Sequence, residues 1–425
     1  MLPVETTGPS PCHRPRGPLP IHRAVGLLLL LLAARLPLLN HPTPANIDEV
    51  YFMNGLGFPA QYPVHHPGYP LWVAMGTLLN ELGCEPYRSF QVWSLLASLA
   101  APLLFYVGVR WLVEDGLAWL LAMAFGFNPL VWFQSTTALS YLSACVSGLL
   151  VIGLCYRATV EGRRAGMYGA AVVLVVGSFL RADLLIGLGP MVAYVGFRHL
   201  RRGGWIALLI TAAGCIALVG VTARLYARTD PAQLHPDLSH TLDVVSGTSV
   251  FRLGLIDGLL RNASKIAVNL GWDFGVAAVL LPWAIWSIAR GRSEGGGIRL
   301  LLLLWALPWT AFLLLMHVVQ GYFMLLLPAG YCAIGLALQS RCRSRAATRL
   351  AAVLTICSVL QFTLYPWSPE SLGIKRLVDA KIGFQSAAGL RHIDKLPEIH
   401  QPGDFWPTAA YDRNTPGTTT RSGPE

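Results

Sequence analysis

Long apolar stretches separated by short polar connections dominate this chain. A membrane span needs about 20 largely apolar residues. About eleven runs approach that length: 24–40, 91–113, 116–133, 138–156, 165–180, 184–198, 205–224, 266–288, 298–316, 322–338 and 350–365. The expectation is an all-α, polytopic transmembrane protein with about eleven spans. Two connections are long. The first, 41–90, contains patterns that predict short interfacial helices over 47–56 and 71–82. The second, 225–265, predicts an amphipathic helix over 250–261 that lies on the membrane. Residues 1–20 are Pro- and Gly-rich and read as a disordered tail. Residues 21–366 read as the transmembrane domain, and 367–425 as a short tail with a helical pattern over 371–396. The first run has no small-residue cleavage site, because Ala33-Ala34 is followed by Arg35. It therefore reads as a retained span, with Arg35 snorkelling outward.

Composition agrees with a membrane class. Hydrophobic residues make up 54% and charged residues 13%, about half the ~25% charged share of soluble domains. Mean hydropathy is +0.51. The net charge of +10 is unevenly placed. Arginines 157, 163 and 164, then 198, 201 and 202, then 290, 292 and 299, then 341, 343, 345 and 349 fall in alternate connections. This is the positive-inside bias. It puts the N-terminus in the cytoplasm and both long connections and the C-terminus outside. The positive charge thus reports topology, and no basic, aromatic-interleaved face suggests nucleic acid. Of eight cysteines only Cys84 falls outside the membrane on that side, so no internal disulfide is expected there.

The densest chemistry lies in the first long connection. Asn46-Ile-Asp-Glu-Val-Tyr51 is followed by Tyr62-Pro-Val-His-His-Pro-Gly-Tyr-Pro-Leu-Trp72. Asn46 and Glu49 have capping-box spacing, which would occupy Glu49. Asp48 then sits in the first turn, where the helix dipole favours the carboxylate. A carboxylate held ionised at a wet membrane face can take a proton from a hydroxyl. His65 and His66 lie among Pro63, Pro67 and Pro70, which stiffen the turn. Packing, a phosphate contact, a proton shuttle and metal ligation are all open to them. Asp48, Glu49 and a histidine have the ligand types for a divalent metal, without a recognisable metal spacing. Arg181-Ala-Asp183 interrupts about thirty apolar residues. Such charges are costly unless paired or wetted, so the motif is either a local pair closing a turn or a phosphate contact through Arg181. Gln134 opens a polar patch ending at Tyr141, suited to a sugar pocket or to helix contacts. No Walker loop, dinucleotide fingerprint or Asp-x-Asp stands in a suitable connection, so a nucleotide-sugar donor is not indicated.

An acidic pair, a nearby Tyr and a His/Pro-rich segment ending in Pro-Leu-Trp resemble the first external loop of GT-C membrane glycosyltransferases. His66-Pro-Gly-Tyr-Pro-Leu71 resembles the protein O-mannosyltransferase-like and related families. Arg181-Ala-Asp183 resembles an Arg-Pro-Asp-like turn of such sequences, with Ala182 in place of Pro. Gln320-Gly-Tyr-Phe-Met-Leu-Leu-Leu-Pro328 resembles their late Arg-Tyr-Leu-Leu-Pro segment, with Gly321 in place of Arg. The resemblance spans roughly 20–340 and is strongest over 46–72. It implies transfer of a sugar from a polyprenyl-phosphate donor to a hydroxyl acceptor, with inversion, at the external face of a bacterial inner membrane. It implies Asp48 and Glu49 as the catalytic carboxylates, with Asp48 favoured as the base. His65, His66 and Arg181 would meet the phosphate. Tyr51, Tyr69, Gln134, Asp183, Gln320 and Tyr322 would line the substrate pocket. The partners implied are the lipid-linked sugar and membrane lipid; no cofactor is certain, a divalent metal being the one with ligands available. The rivals are a non-catalytic binder of lipid-linked sugar and a transporter or flippase. A transporter should show a charge or broken helix near mid-membrane, and the runs read as unbroken.

Overall fold

The computed structural model describes residues 17–36, 39, 47–57, 69–226, 249–290, 296–316, 318 and 320–364, and all regular structure among them is helical. Helix α1 is Ile21–Arg35, α2 Ile47–Gly57, α3 Pro70–Glu81, α4 Pro86–Val109 and α5 Asp115–Gly126. Then come α6 (Pro129–Gln134), α7 (Tyr141–Val160), α8 (Arg164–Leu180), α9 (Asp183–Arg198) and α10 (Gly204–Tyr226). After the second long connection follow α11 (Val250–Leu253), α12 (Leu255–Phe274), α13 (Ala277–Arg290) and α14 (Gly296–Leu315). A 3₁₀ turn over Gln320–Leu325 leads into α15 (Leu327–Arg341) and α16 (Ser344–Leu364). The two segments of the first connection expected to be short helices are helical, as α2 and α3. The helical pattern over 371–396 lies outside the described residues.

Among the described residues five helices, α4, α7, α10, α14 and α16, are long and apolar enough to cross a membrane, or six crossings with the bent pair α12–α13. Other expected runs are helical but shorter than a full crossing, with 15 residues in α1, 17 in α8, 16 in α9 and 15 in α15. Two runs that read as continuous are broken. Helix α5 stops at Gly126 because Asn128-Pro129 follows, and the residue before proline is pushed out of the α region. Asn128 then caps α6, its Oδ1 accepting from the Leu130 N–H at 3.0 Å. In the second run α12 continues to Phe274, and Gly275 at φ 50° turns the chain through 107° into α13. Glycine adopts that conformation without the penalty of a Cβ. The amphipathic helix expected over 250–261 is likewise split at Gly254, at φ 87°, and extends beyond Arg261.

Side chains from distant helices secure the bend. The Asn128 amide donates to the Asp273 carbonyl and, at 3.3 Å, to the Tyr331 hydroxyl. Gln361 donates to the Trp272 carbonyl at 2.6 Å. Asp273 itself is fully buried. A broken run with a buried carboxylate thus stands where the apolar pattern indicated neither. Arg35 also departs from expectation. It does not snorkel but is fully buried, donating to the Leu31 carbonyl at 3.1 Å and the Gly126 carbonyl at 2.6 Å. A guanidinium at the last carbonyls of α5 complements that helix's dipole.

The bundle has two ends of different character. At one, Asp115 pairs with Arg23 and, at 3.2 Å, with Arg110, and accepts from the Tyr106 hydroxyl at 2.9 Å. Ser344 donates to Glu114 at 2.5 Å, and the Trp286 ring lies 4.9 Å from Arg290 and 5.7 Å from Arg341. The arginine-rich connections gather at this end. The opposite end carries α2, α3, the turn between α6 and α7, and the turn between α8 and α9.

Candidate functional site

The site is built on a buried turn. Residues Ser135–Ser140 join α6 to α7 with every residue buried. Buried backbone polar groups must be satisfied, and here side chains of three preceding helices do so. Glu49 Oε2, from α2, accepts the Ala138 N–H at 2.9 Å. Trp72 of α3 donates to the Ala138 carbonyl at 3.2 Å. From α4, Gln91 donates to the Thr136 carbonyl at 2.7 Å and Ser94 to that of Leu139 at 3.2 Å. Aromatic packing ties the same helices together: Phe52 lies 5.4 Å from Tyr69 and 5.6 Å from Phe90, which stacks on Trp72 at 5.2 Å.

Tyr141, directly after this turn, presents its ring to Arg181 at 4.0 Å. Tyr322 and Tyr69 enclose the same guanidinium at 5.3 and 5.4 Å. Arg181, only 5% exposed, engages Asp183 through Nη2 at 2.8 Å and Nε at 3.1 Å. Its Nη1 makes a long contact of 3.5 Å to Ser140 Oγ. Burial works against the guanidinium's charge. The Asp183 carboxylate beside it acts against burial, and its pKa is raised above the ordinary value. Tyr69 enters α3 from the left-handed region, at φ 38°, the one non-glycine residue to do so among the described residues. Such backbone strain costs about 1–3 kcal/mol and is found where surroundings hold it for a purpose. Burial also pushes the Tyr69 phenol well up, so it stays a protonated donor.

The two adjacent carboxylates serve different neighbours, as a turn of 3.6 residues requires. Asp48 is half-buried, and its charge acts on Tyr141 and Tyr322. Glu49 is fully buried and holds Ala138, with the Tyr87 hydroxyl also in hydrogen-bonding reach. One cluster thus brings together Asp48, Tyr69, Arg181, Asp183 and Tyr322 of the expected residues. Gln134 is not part of it: it is buried, and its Oε1 accepts from the Thr137 hydroxyl at 3.0 Å. His65, His66 and the side chains of Tyr51 and Gln320 lie outside the described residues. No three His, Cys, Asp or Glu side chains converge as a metal site among the described residues.

Two features escaped the sequence reading. Tyr141, seen only as the end of a polar patch, forms the nearest wall of the Arg181 cage. Gly321, which stands where the family pattern has Arg, lies against the Tyr141 ring, so that any Cβ there would enter it. The guanidinium over this ring comes instead from the α8–α9 turn.

No family model matches the chain, and no curated protein matches it. Solved structures do. ArnT from Cupriavidus metallidurans, bound to undecaprenyl phosphate, superposes with a TM-score of 0.54 at 15% identity, covering 86% of this chain and 70% of ArnT. The apo structure of ArnT gives a TM-score of 0.51 at 15% identity, covering 87% of this chain and 71% of ArnT. ArnT is a GT-C glycosyltransferase. With its long apolar helices and this architecture, the chain is an integral membrane protein of the GT-C fold.

Proposed function

We propose that the chain is a GT-C-type glycosyltransferase that moves a sugar from a polyprenyl-phosphate donor to a hydroxyl acceptor at the outer face of the membrane. The observation that carries the reading is the division of labour between Asp48 and Glu49. One carboxylate is fully buried and holds the Ala138 backbone, while the other is half-buried and acts on the tyrosines around Arg181. Undecaprenyl phosphate bound to ArnT supports a lipid-phosphate partner on this fold.

In this reading Asp48 takes the proton of the acceptor hydroxyl as its oxygen attacks the anomeric carbon. The bond from that carbon to the phosphate oxygen breaks, the electron pair leaves with the phosphate, and configuration inverts. Arg181 has Nε and Nη2 tied to Asp183, so it contributes a fixed positive charge and the Nη1 edge. The protonated phenols around it add donors for the departing phosphate. The test is incubation of purified protein with labelled polyprenyl-phosphate sugars and membrane extract. Label should move to an acceptor in the native protein and not in Asp48→Asn; equal transfer by that variant overturns the assignment.

The bent run at Gly275, with buried Asp273 beside it, favours a second reading, transport of a lipid-linked sugar. Proteoliposomes separate the two. A transporter moves the lipid-linked sugar intact between leaflets, whereas a transferase cleaves it.

A further inference from the structure

An apolar groove of about 290 Å³ lies at the arginine-rich end, between the later halves of α4 and α7 and the first turns of α14. This is near the lower end of the ~300–1,000 Å³ typical of ligand pockets. Of its lining, Phe105, Leu301 and Trp305 are buried, while Trp111 and Arg157 are exposed. Two glycines open it. A Cβ built on Gly108 or on Gly153 would meet nothing within 4 Å, so neither is needed for close helix packing. Leu150 and Trp111, 37% and 42% exposed, line it where it opens to the outside of the bundle. The groove is separate from the candidate site, for Gly153 lies about 18 Å along α7 from Tyr141.

The C-terminal end of α7 and the turn after it, next to the lining residue Arg157, carry excess positive charge. Glu161 is shared between Arg157 at 3.4 Å and Arg163 at 2.9 Å, one carboxylate for two guanidiniums, and exposed Arg164 follows. Arg157 keeps 45% of its side chain exposed. An apolar slot along the spans, with an exposed arginine and an exposed indole in its lining, matches a chain-bearing molecule with an anionic head at membrane depth. We infer that this groove seats one acyl chain of an anionic glycerophospholipid, with the phosphate against Arg157. It is a structural lipid site at the end of the bundle opposite the chemistry, and it does not depend on the activity proposed above.

The test uses the full chain in phosphatidylcholine nanodiscs doped with phosphatidylglycerol bearing a photoreactive acyl chain, with labelled peptides mapped by mass spectrometry. Label should fall on α4, α7 and α14 beside the groove, and should exceed that from a phosphatidylcholine probe of the same chain. Arg157→Gln should weaken capture roughly tenfold, the scale of a hydrogen bond to a charged group, and erase the headgroup preference. Gly153→Leu should abolish groove labelling, while Gly153→Ala, which leaves most of the space, should keep it. Labelling that ignores the headgroup, that survives Gly153→Leu, or that only polyprenyl phosphate displaces overturns the inference. Arg157 is partly exposed and its pairing is a surface one, so its variant gives an answer even if Gly153→Leu does not fold.

Discussion

At the residue scale, two adjacent acids have roles set by what each faces. Asp48→Asn keeps the size and most hydrogen bonding of the side chain but removes the proton acceptor. Transfer should fall by about 10²-fold or more, the usual scale of acid–base contributions, while donor binding survives. Turnover and donor binding measured side by side check this; unaltered turnover takes Asp48 out of the chemistry. Glu49 calls for a different experiment, because its Oε2 holds the Ala138 N–H inside the protein. Glu49→Ala should cost about 1–3 kcal/mol, the desolvation penalty of a stranded buried donor. Glu49→Gln keeps a carbonyl acceptor and should lose less, as read from thermal unfolding in detergent. From the start of α2 alone the pair reads as unequal through a capping box from Asn46, which lies outside the described residues, and the structure shows unequal surroundings instead. The partner of Glu49 was not legible, since Ala138 lies 89 positions along the chain and offers only backbone.

At the element scale, the Arg181–Asp183 pair closes the α8–α9 turn and at the same time supports the tyrosine cage. Removing one member of a buried ion pair strands the other, at about 3–5 kcal/mol. Arg181→Ala should therefore destabilise more than the double variant Arg181→Ala with Asp183→Ala. If the double variant also regains transfer, the arginine serves only the turn; continued loss of transfer in a refolded double variant assigns it to the substrate. Gly321 tests the cage from the other side. A Cβ there enters the Tyr141 ring, so Gly321→Ala should cost about 1–3 kcal/mol, as overpacking does. It should also raise the KM for the donor by displacing the aromatic wall; an unchanged KM and melting temperature would show that Tyr141 has room to yield. The helices themselves were largely legible, because apolar runs and prolines mark them. Their breaks were less so. Gly275 is one glycine in an apolar run, and the groups that hold the turn before it, Asn128 and Gln361, come from other parts of the chain.

At the scale of the whole molecule, the fold separates the candidate site from the arginine-rich connections. The Glu49–Ala138 tether and the Arg181 cage occupy one end of the bundle, and the Asp115 and Trp286 clusters occupy the other. The pattern of arginines anticipated this separation, since it depends only on which connections carry charge. The runs over 24–40, 165–180, 184–198 and 322–338 already read as short, and α1, α8, α9 and α15 have 15, 17, 16 and 15 residues. The separation makes a topology prediction that bears on every role proposed here. Helix α10 is a single apolar helix whose window Gly204–Leu225 is long enough to cross the membrane. Reporter fusions after Arg202 and after Asp237 should therefore report opposite sides, with Arg202 cytoplasmic. A fusion after Arg292 should agree with Arg202, and one near Asp404 with Asp237. The carboxylate, the cage and the carrier's headgroup would then all face outward, where a lipid-linked sugar and its acceptor meet. A cytoplasmic signal at Asp237 would place Asp48 and Arg181 on the inner side and remove the proposed reaction, yet leave the anionic-lipid groove to be judged by its own experiment.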